Sequence, residues 1–193
     1  MRGNRRGTVA TTYLFVPASR PERLTKACAA GADAVIIDLE DAVDPADKAL
    51  ARDALHGWLT QQALPTDTSP ELWVRVNAVG TPWFEHDLTL LQHHSAVLTG
   101  VMLPKTENGR DIDALQVLGL PVIALVESAR GLLSLAELCA HPNVQRLAFG
   151  SADLARDLGC EDAWDTLLPH RAQLVLHAAA AGLPPPIDGV SFV

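Results

Sequence analysis

The 193-residue chain carries 48% hydrophobic and 20% charged side chains, a balance that suits one folded domain with a sizeable core and speaks against long disorder. Its 15 basic residues against 23 acidic ones give a formal net charge of -8, which excludes a basic nucleic-acid surface and leaves any anionic ligand to be met by local arginines. Cys28, Cys139 and Cys160 show no C-x-x-C spacing and fit a reducing, cytoplasmic compartment better than a disulfide framework. After the basic "MRGNRRG", the stretch "TVATTYLFVP" is too short and too polar for the core of a signal peptide. No apolar run approaches the roughly 18 residues of a membrane span, so no membrane contact is expected.

Along the chain, short β-branched runs alternate with longer amphipathic ones, the pattern of a parallel sheet with helical crossovers. Strands are expected at 11–17 ("TTYLFVP"), 33–40 ("DAVIIDLE"), 72–77 ("LWVRVN"), 98–104 ("LTGVMLP"), 121–128 ("PVIALVES") and 144–150 ("VQRLAFG"), with a seventh in "PIDGVSFV". The six helices expected between them are "RPERLTKACAAG", "DPADKALARDALHGWLTQQ", "TPWFEHDLTLLQHH", "DIDALQVLG", "ARGLLSLAELCAH" and "AWDTLLPHRAQLVLHAAAAG". Pro45 and Pro82 stand where a first helical turn tolerates a missing N–H, and Gly31, Gly119 and Gly182 follow helix ends. "ALPTDTSPE" and the prolines at 184–186 break elements without separating domains.

Strands buried on both faces leave a doubly wound sheet or a (β/α)8 barrel. Strand alternation puts Asp38 and Glu40 on one face with Ile36, Asn77 with Arg75, Lys105 with Val101 and Leu103, and Glu127 with Ile123 and Leu125. Asp153 is expected in the loop after the sixth strand. All these polar groups lie at C-terminal strand ends, which a barrel gathers into one ring. The first turn, "VPASRPERL", has no G-x-G-x-x-G. The expectation is therefore an α/β fold, a TIM-type (β/α)8 barrel formed by residues 1–193 as one domain and ending near its seventh strand.

Any single acid after a strand is usually the solvated start of a loop. Several carboxylates sharing a barrel mouth are different, because each costs on the order of several kcal/mol when buried without a partner or metal. Carboxylates with no histidine or cysteine beside them suit Mg²⁺, which takes one or two protein oxygens and completes its shell with water and substrate; Glu127 and Asp153 are the candidate ligands. Arg75 is expected as a bidentate clamp for a substrate carboxylate, and not as a structural pair for Glu40 or Asp41. Lys105 is read either as a Schiff-base lysine or as the ionic partner of a carboxylate. The seven histidines lie in or beside expected helices and are read as surface or structural. There is no Walker loop, G-x-S-x-G elbow or zinc spacing.

The blocks "YLFVPASRPERLTKA", "GADAVIIDLEDAVDPADKALAR", "WVRVNAVGTPWFEHDL", "GVMLPKTE", "VIALVESARGLL" and "LAFGSADLARDLG" resemble, in order, those of the citrate lyase β-subunit family. That family belongs to the wider HpcH/HpaI aldolase group, with the malyl-CoA and citramalyl-CoA lyases. The resemblance implies a Mg²⁺-dependent carbon–carbon lyase that cleaves a 3-hydroxyacyl thioester of the citryl-, malyl- or citramalyl-CoA type to an acyl-CoA and a 2-oxoacid. It assigns the substrate oxygens to Arg75 and Glu127, the metal to Glu127 and Asp153, and the waters and neighbouring groups near the metal to Glu40 and Asp41, which count with Arg75 as catalytic. It also implies a homo-oligomer, commonly a trimer. The alternatives are an aldolase of the same barrel group acting on free 2-oxoacids, and a truncated, non-catalytic paralogue.

Two departures stand out. Where the family commonly begins its first strand with Arg-Ser and follows it with Pro-Gly, this chain has Thr11, Thr12 and Ala18. The family's remaining C-terminal part, which supplies an acid to a neighbouring subunit's site, is expected beyond Val193.

Overall fold

The computed structural model describes residues 9–63, 65–66 and 68–190. Its strands are β1 (Tyr13–Pro17), β2 (Ala34–Asp38), β3 (Glu71–Arg75), β4 (Gly100–Leu103), β5 (Val122–Val126) and β6 (Val144–Phe149). Its helices are α1 (Pro21–Cys28), α2 (Lys48–Thr60), α3 (Phe84–His94), α4 (Gly109–Asp113), α5 (Ala129–Leu133), α6 (Leu135–Ala140), α7 (Ser151–Leu158) and α8 (Trp164–Ala180). The strands follow one another in the sheet in sequence order, β1-β2-β3-β4-β5-β6. A doubly wound sheet reverses its order at a switch point, so this succession is the TIM-type α/β one. Contacts divide the chain into two compact units, Met1–Val101 and Met102–Val193. Among the described residues no helix is long and apolar enough to cross a membrane.

In the first unit β1, β2 and β3 pair in parallel, with Val16 opposite Ile37 and Asp38 opposite Arg75. All five residues of β2, Ala34–Asp38, are buried, as expected of a strand covered on both faces. The α2 helix buries Ala51, Leu55, Trp58 and Leu59, a helical spacing, and each large side chain so removed from water contributes about 1.5–3 kcal/mol. Its entry is a short 3-10 turn, Pro45–Asp47, whose Asp44 side chain accepts from the Ala46 amide. The Thr11 and Thr12 amides and hydroxyls all donate to Asp33 Oδ2 at 2.8–3.0 Å. Those amides, and then the hydroxyls, hold the Asp33 carboxyl well below the usual carboxylate range. The two threonines thereby fasten the approach to β1 onto the start of β2.

Asp87 on α3 is fully buried. It accepts from the Asn77 amide at 2.9 Å, from Asn77 Nδ2 at 2.7 Å and from Arg52 Nη1 at 3.2 Å. One carboxylate thus joins the loop after β3 to α3 and α2. Burial raises its pKa, against the lowering pull of Asn77 and Arg52. Nearby, His94 Nε2 lies 2.9 Å from His56 Nδ1, a contact between α3 and α2 that fits the structural reading of these histidines.

In the second unit β5 and β6 pair in parallel with a register shift between Val122 and Ile123. The α8 helix buries Leu167, Leu174 and Ala178. The expected seventh strand is reduced, among the described residues, to one bridge at Ile187, which donates to Leu147 O and accepts from the Phe149 amide, both at 2.9 Å. Pro184, Pro185 and Pro186 bring no N–H to a ladder, so pairing cannot begin earlier; residues 191–193 of that expected strand lie outside the described residues. Two further expectations are corrected. The run 129–141 is two helices, α5 and α6, parted at Ser134. The run after β6 is not a loop but α7, with Asp153 in its first turn.

Asp87→Ala should lower stability to urea by about 2–4 kcal/mol, because the buried Asn77 and Arg52 donors lose their acceptor. Asp87→Asn keeps an acceptor and should cost less. Equal, small losses for both would show that Asp87 is not the joint.

Candidate functional site

In the first unit the site begins with register. β2 ends at Asp38 and β3 ends at Arg75, and parallel pairing sets the two opposite one another. Arg75 Nε donates to Asp38 Oδ1 at 2.7 Å and Nη2 to Oδ2 at 2.5 Å, a fork on a carboxylate. The same two oxygens accept the Glu40 amide at 2.9 Å and the Ala42 amide at 3.1 Å, so Asp38 shapes the "DLEDAV" turn while it holds the arginine. Arg75 Nη1 lies 3.0 Å from Glu40 Oε2 and 3.8 Å from Asp41 Oδ2, and the guanidinium sits over the Phe15 ring at 5.4 Å. Burial alone would lower its pKa; the hydrogen bonds and charge of Asp38, then Glu40 and Asp41, override that and raise it above the ordinary arginine value.

The expectation that Arg75 stands apart from Glu40 and Asp41 is therefore corrected. It is ion-paired to Glu40 and forks onto Asp38, because two carboxylates buried at a strand end require a cation. Asp41 is mostly exposed at the edge of the group. Lys48 adds a second cation, with Nζ donating to the carbonyls of Leu39 and Glu40 at 2.7 Å each. Burial lowers its pKa, opposed by Asp38, Glu40, Asp87 and Asp41. Neither the Asp38 fork nor Lys48 was assigned from sequence. Aligning "VIID" beside "WVR" in parallel register would have found the first; nothing in "ADKAL" points to the second.

In the second unit Glu127 follows β5 directly and is 5% exposed. Its Oε1 accepts the Lys105 amide at 2.9 Å. Asp153, in the first turn of α7, receives Arg156 Nη1 on Oδ1 at 2.7 Å and Lys105 Nζ on Oδ2 at 3.1 Å. Lys105 Nζ also lies 3.7 Å from Glu127 Oε1. The sequence candidates Glu127 and Asp153 thus face one ammonium from two sides, and Lys105 takes the ionic alternative of its two readings. Arg156 was not foreseen, although its i,i+3 spacing from Asp153 is the signal of a helical ion pair.

Gly150 completes this group. A Cβ there would lie 2.5 Å from Glu127 Oε2 and 2.6 Å from Glu127 Cβ, so only glycine lets the carboxylate occupy its place. The donor chemistry suits a hard cation, since two carboxylates already surround a positive charge and neither sulfur nor imidazole takes part. Among the described residues no three His, Cys, Asp or Glu side chains gather as a metal cluster. An ion at Glu127 and Asp153 would keep most of its shell for water and ligand oxygens, the habit of Mg²⁺.

Two substitutions test this geometry. Arg75→Lys keeps a charge but loses the fork, and stability should fall by about 2–4 kcal/mol in denaturant unfolding; an unchanged midpoint would show that the turn amides alone satisfy Asp38. Gly150→Ala should cost about 1–3 kcal/mol by pushing Glu127 aside, whereas a neutral result would mean that the carboxylate has room.

The family model described as HpcH/HpaI aldolase/citrate lyase matches residues 11–192. A citrate lyase subunit beta-like protein of Mycobacterium tuberculosis is 39% identical over 176 residues, 88% of this chain and 60% of its own length. A (3S)-malyl-CoA thioesterase of Cereibacter sphaeroides is 35% identical over 184 residues, 93% of this chain and 62% of its own length. This chain therefore spans about 60% of the length of these curated relatives. Among solved structures, the M. tuberculosis citrate lyase beta subunit complexed with oxaloacetate and magnesium superposes with a TM-score of 0.81 at 37% identity, covering 96% of this chain and 80% of that one. Block order, fold and these matches agree: the chain belongs to the HpcH/HpaI aldolase/citrate lyase family.

Proposed function

We propose that this chain acts in a Mg²⁺-dependent carbon–carbon lyase that cleaves a 3-hydroxyacyl thioester of the citryl-, malyl- or citramalyl-CoA type to an acyl-CoA and a 2-oxoacid. The observation that carries this reading is the Glu127–Asp153 pair, one carboxylate just past β5 and one in the first turn of α7, both facing one positive charge at 3.7 and 3.1 Å. The relatives support it: one is named for malyl-CoA, and a solved structure holds magnesium with a 2-oxoacid.

Cleavage of such a thioester removes the hydroxyl proton, breaks the carbon–carbon bond and leaves its electron pair on the acyl fragment as an enolate, which then takes up a proton. Mg²⁺ held by Glu127 and Asp153 would supply a Lewis acid to the hydroxyl and carboxylate oxygens of the fragment that leaves as the 2-oxoacid. Arg75 binds substrate oxygens in this reading, its charge made permanent by Asp38. Glu40 and Asp41 hold Arg75 in its orientation. Gly150 and the Lys105 amide hold Glu127 in place.

A thioesterase is the second reading, favoured by the name of the 35% identical relative. The products separate the two: carbon–carbon cleavage of malyl-CoA releases glyoxylate, whereas hydrolysis releases malate and free thiol. The aldolase alternative is separated by turnover of a free hydroxyacid without coenzyme A. The protein is inferred to be cytoplasmic, supported by its three free cysteines. It is also inferred to be a homo-oligomer, commonly a trimer, supported by the exposed apolar residues Trp164, Leu168, Val175 and Leu176 on α8.

A screen over malyl-, citramalyl- and citryl-CoA should show 2-oxoacid release that requires Mg²⁺. Asp153→Asn should abolish it and weaken Mg²⁺ binding by about tenfold or more, while the circular dichroism spectrum stays native. Unchanged Mg²⁺ affinity by calorimetry would contradict the metal assignment.

A further inference from the structure

Lys105 occupies a backbone state that side-chain-bearing residues seldom adopt. Its φ of +50° makes it, among the described residues, the one non-glycine residue in the left-handed region. That turn, at the exit of β4, brings two donors of one residue to the same pair of acids. The Lys105 amide meets Glu127 Oε1 at 2.9 Å, and the ammonium stands 3.1 Å from Asp153 Oδ2 and 3.7 Å from Glu127 Oε1. Arg156 holds the other Asp153 oxygen. The two acids are 5% and 18% exposed, whereas the lysine side chain is 44% exposed. The ammonium therefore plugs a carboxylate pair from the solvent side.

A divalent ion on Glu127 and Asp153 needs metal–oxygen distances of about 2.0–2.1 Å for Mg²⁺, and like charges repel strongly at such separations. The ammonium and the ion cannot share these oxygens. We propose that Lys105 is a positioning residue, the resident counter-cation that keeps Glu127 and Asp153 turned toward one another in the metal-free protein, and that a divalent cation displaces its ammonium from between them. The amide on Glu127 stays in place during this exchange, so the shape of the acid pair is kept while its cation changes. The displaced ammonium, already half in solvent, remains beside the site as a positive group for an anionic substrate oxygen. The inference rests on the reading of Glu127 and Asp153 as metal ligands.

The test uses the full chain and Mg²⁺ alone. Calorimetry should show Lys105→Met binding Mg²⁺ about three- to tenfold more tightly than the wild type, since a competing cation is gone. A merely structural lysine would leave affinity unchanged or weaker. The chain has three lysines, Lys26, Lys48 and Lys105, so lysine-selective NMR of the wild type is simple to read: Mg²⁺ should move the Lys105 side-chain signal and leave the other two. This second readout decides the matter if Lys105→Met does not fold. An affinity that does not rise in the variant, or a Lys105 signal unmoved at saturating Mg²⁺, overturns the exchange. If Asp153→Asn loses Mg²⁺ binding in the same series, the metal reading survives that failure; if it binds as the wild type does, the metal reading falls, and the exchange with it.

Discussion

A carboxylate that leaves water at the end of a buried strand is unstable unless a cation or several donors face it, and this chain places Asp38, Glu40 and Glu127 in that position with almost no exposure. The surrounding structure follows from how that charge is met. Asp38 gathers two guanidinium bonds and two turn amides on its two oxygens. Glu127 takes the Lys105 amide and shares the Lys105 ammonium with Asp153. Gly150 and the left-handed Lys105 are local consequences, since each permits a contact that an ordinary residue or an ordinary φ would prevent.

The two groups meet the demand differently. In the first unit the cation is an arginine locked by a planar fork and raised in pKa by its acids, so its charge is permanent and its orientation fixed. In the second unit it is a lysine near half exposure, whose ammonium stands 3.1 Å from Asp153 and 3.7 Å from Glu127. A locked arginine suits a fixed positive pole, and a partly exposed ammonium suits a place where one cation yields to another.

Much of the fold was legible because β-branched runs such as "AVIID" are buried on both faces and admit little but a covered strand. Strand ends were less so: Glu40, Asn77 and Glu127 lie just past the strands to which alternation assigned them. The α7 helix is hard to read because it starts directly behind β6 with Gly150 at its cap and no side-chain capping bond, leaving the acidic Asp153 of its first turn as a weak start signal. The acids and Arg75 could be picked out as strand-end charges, and the family blocks named the same positions. Which cation meets which acid depends on register and on one backbone torsion. Neither is written in residue types.

The proposed cation site is the Glu127–Asp153 pair. It is tested most directly by anomalous diffraction from crystals soaked in Mn²⁺, a visible substitute for Mg²⁺. The expected result is a peak bonded to oxygens of both Glu127 and Asp153 at about 2.0–2.3 Å, with the Lys105 ammonium moved away from them. Full Mn²⁺ occupancy elsewhere, with Lys105 still lodged between the two acids, would contradict it.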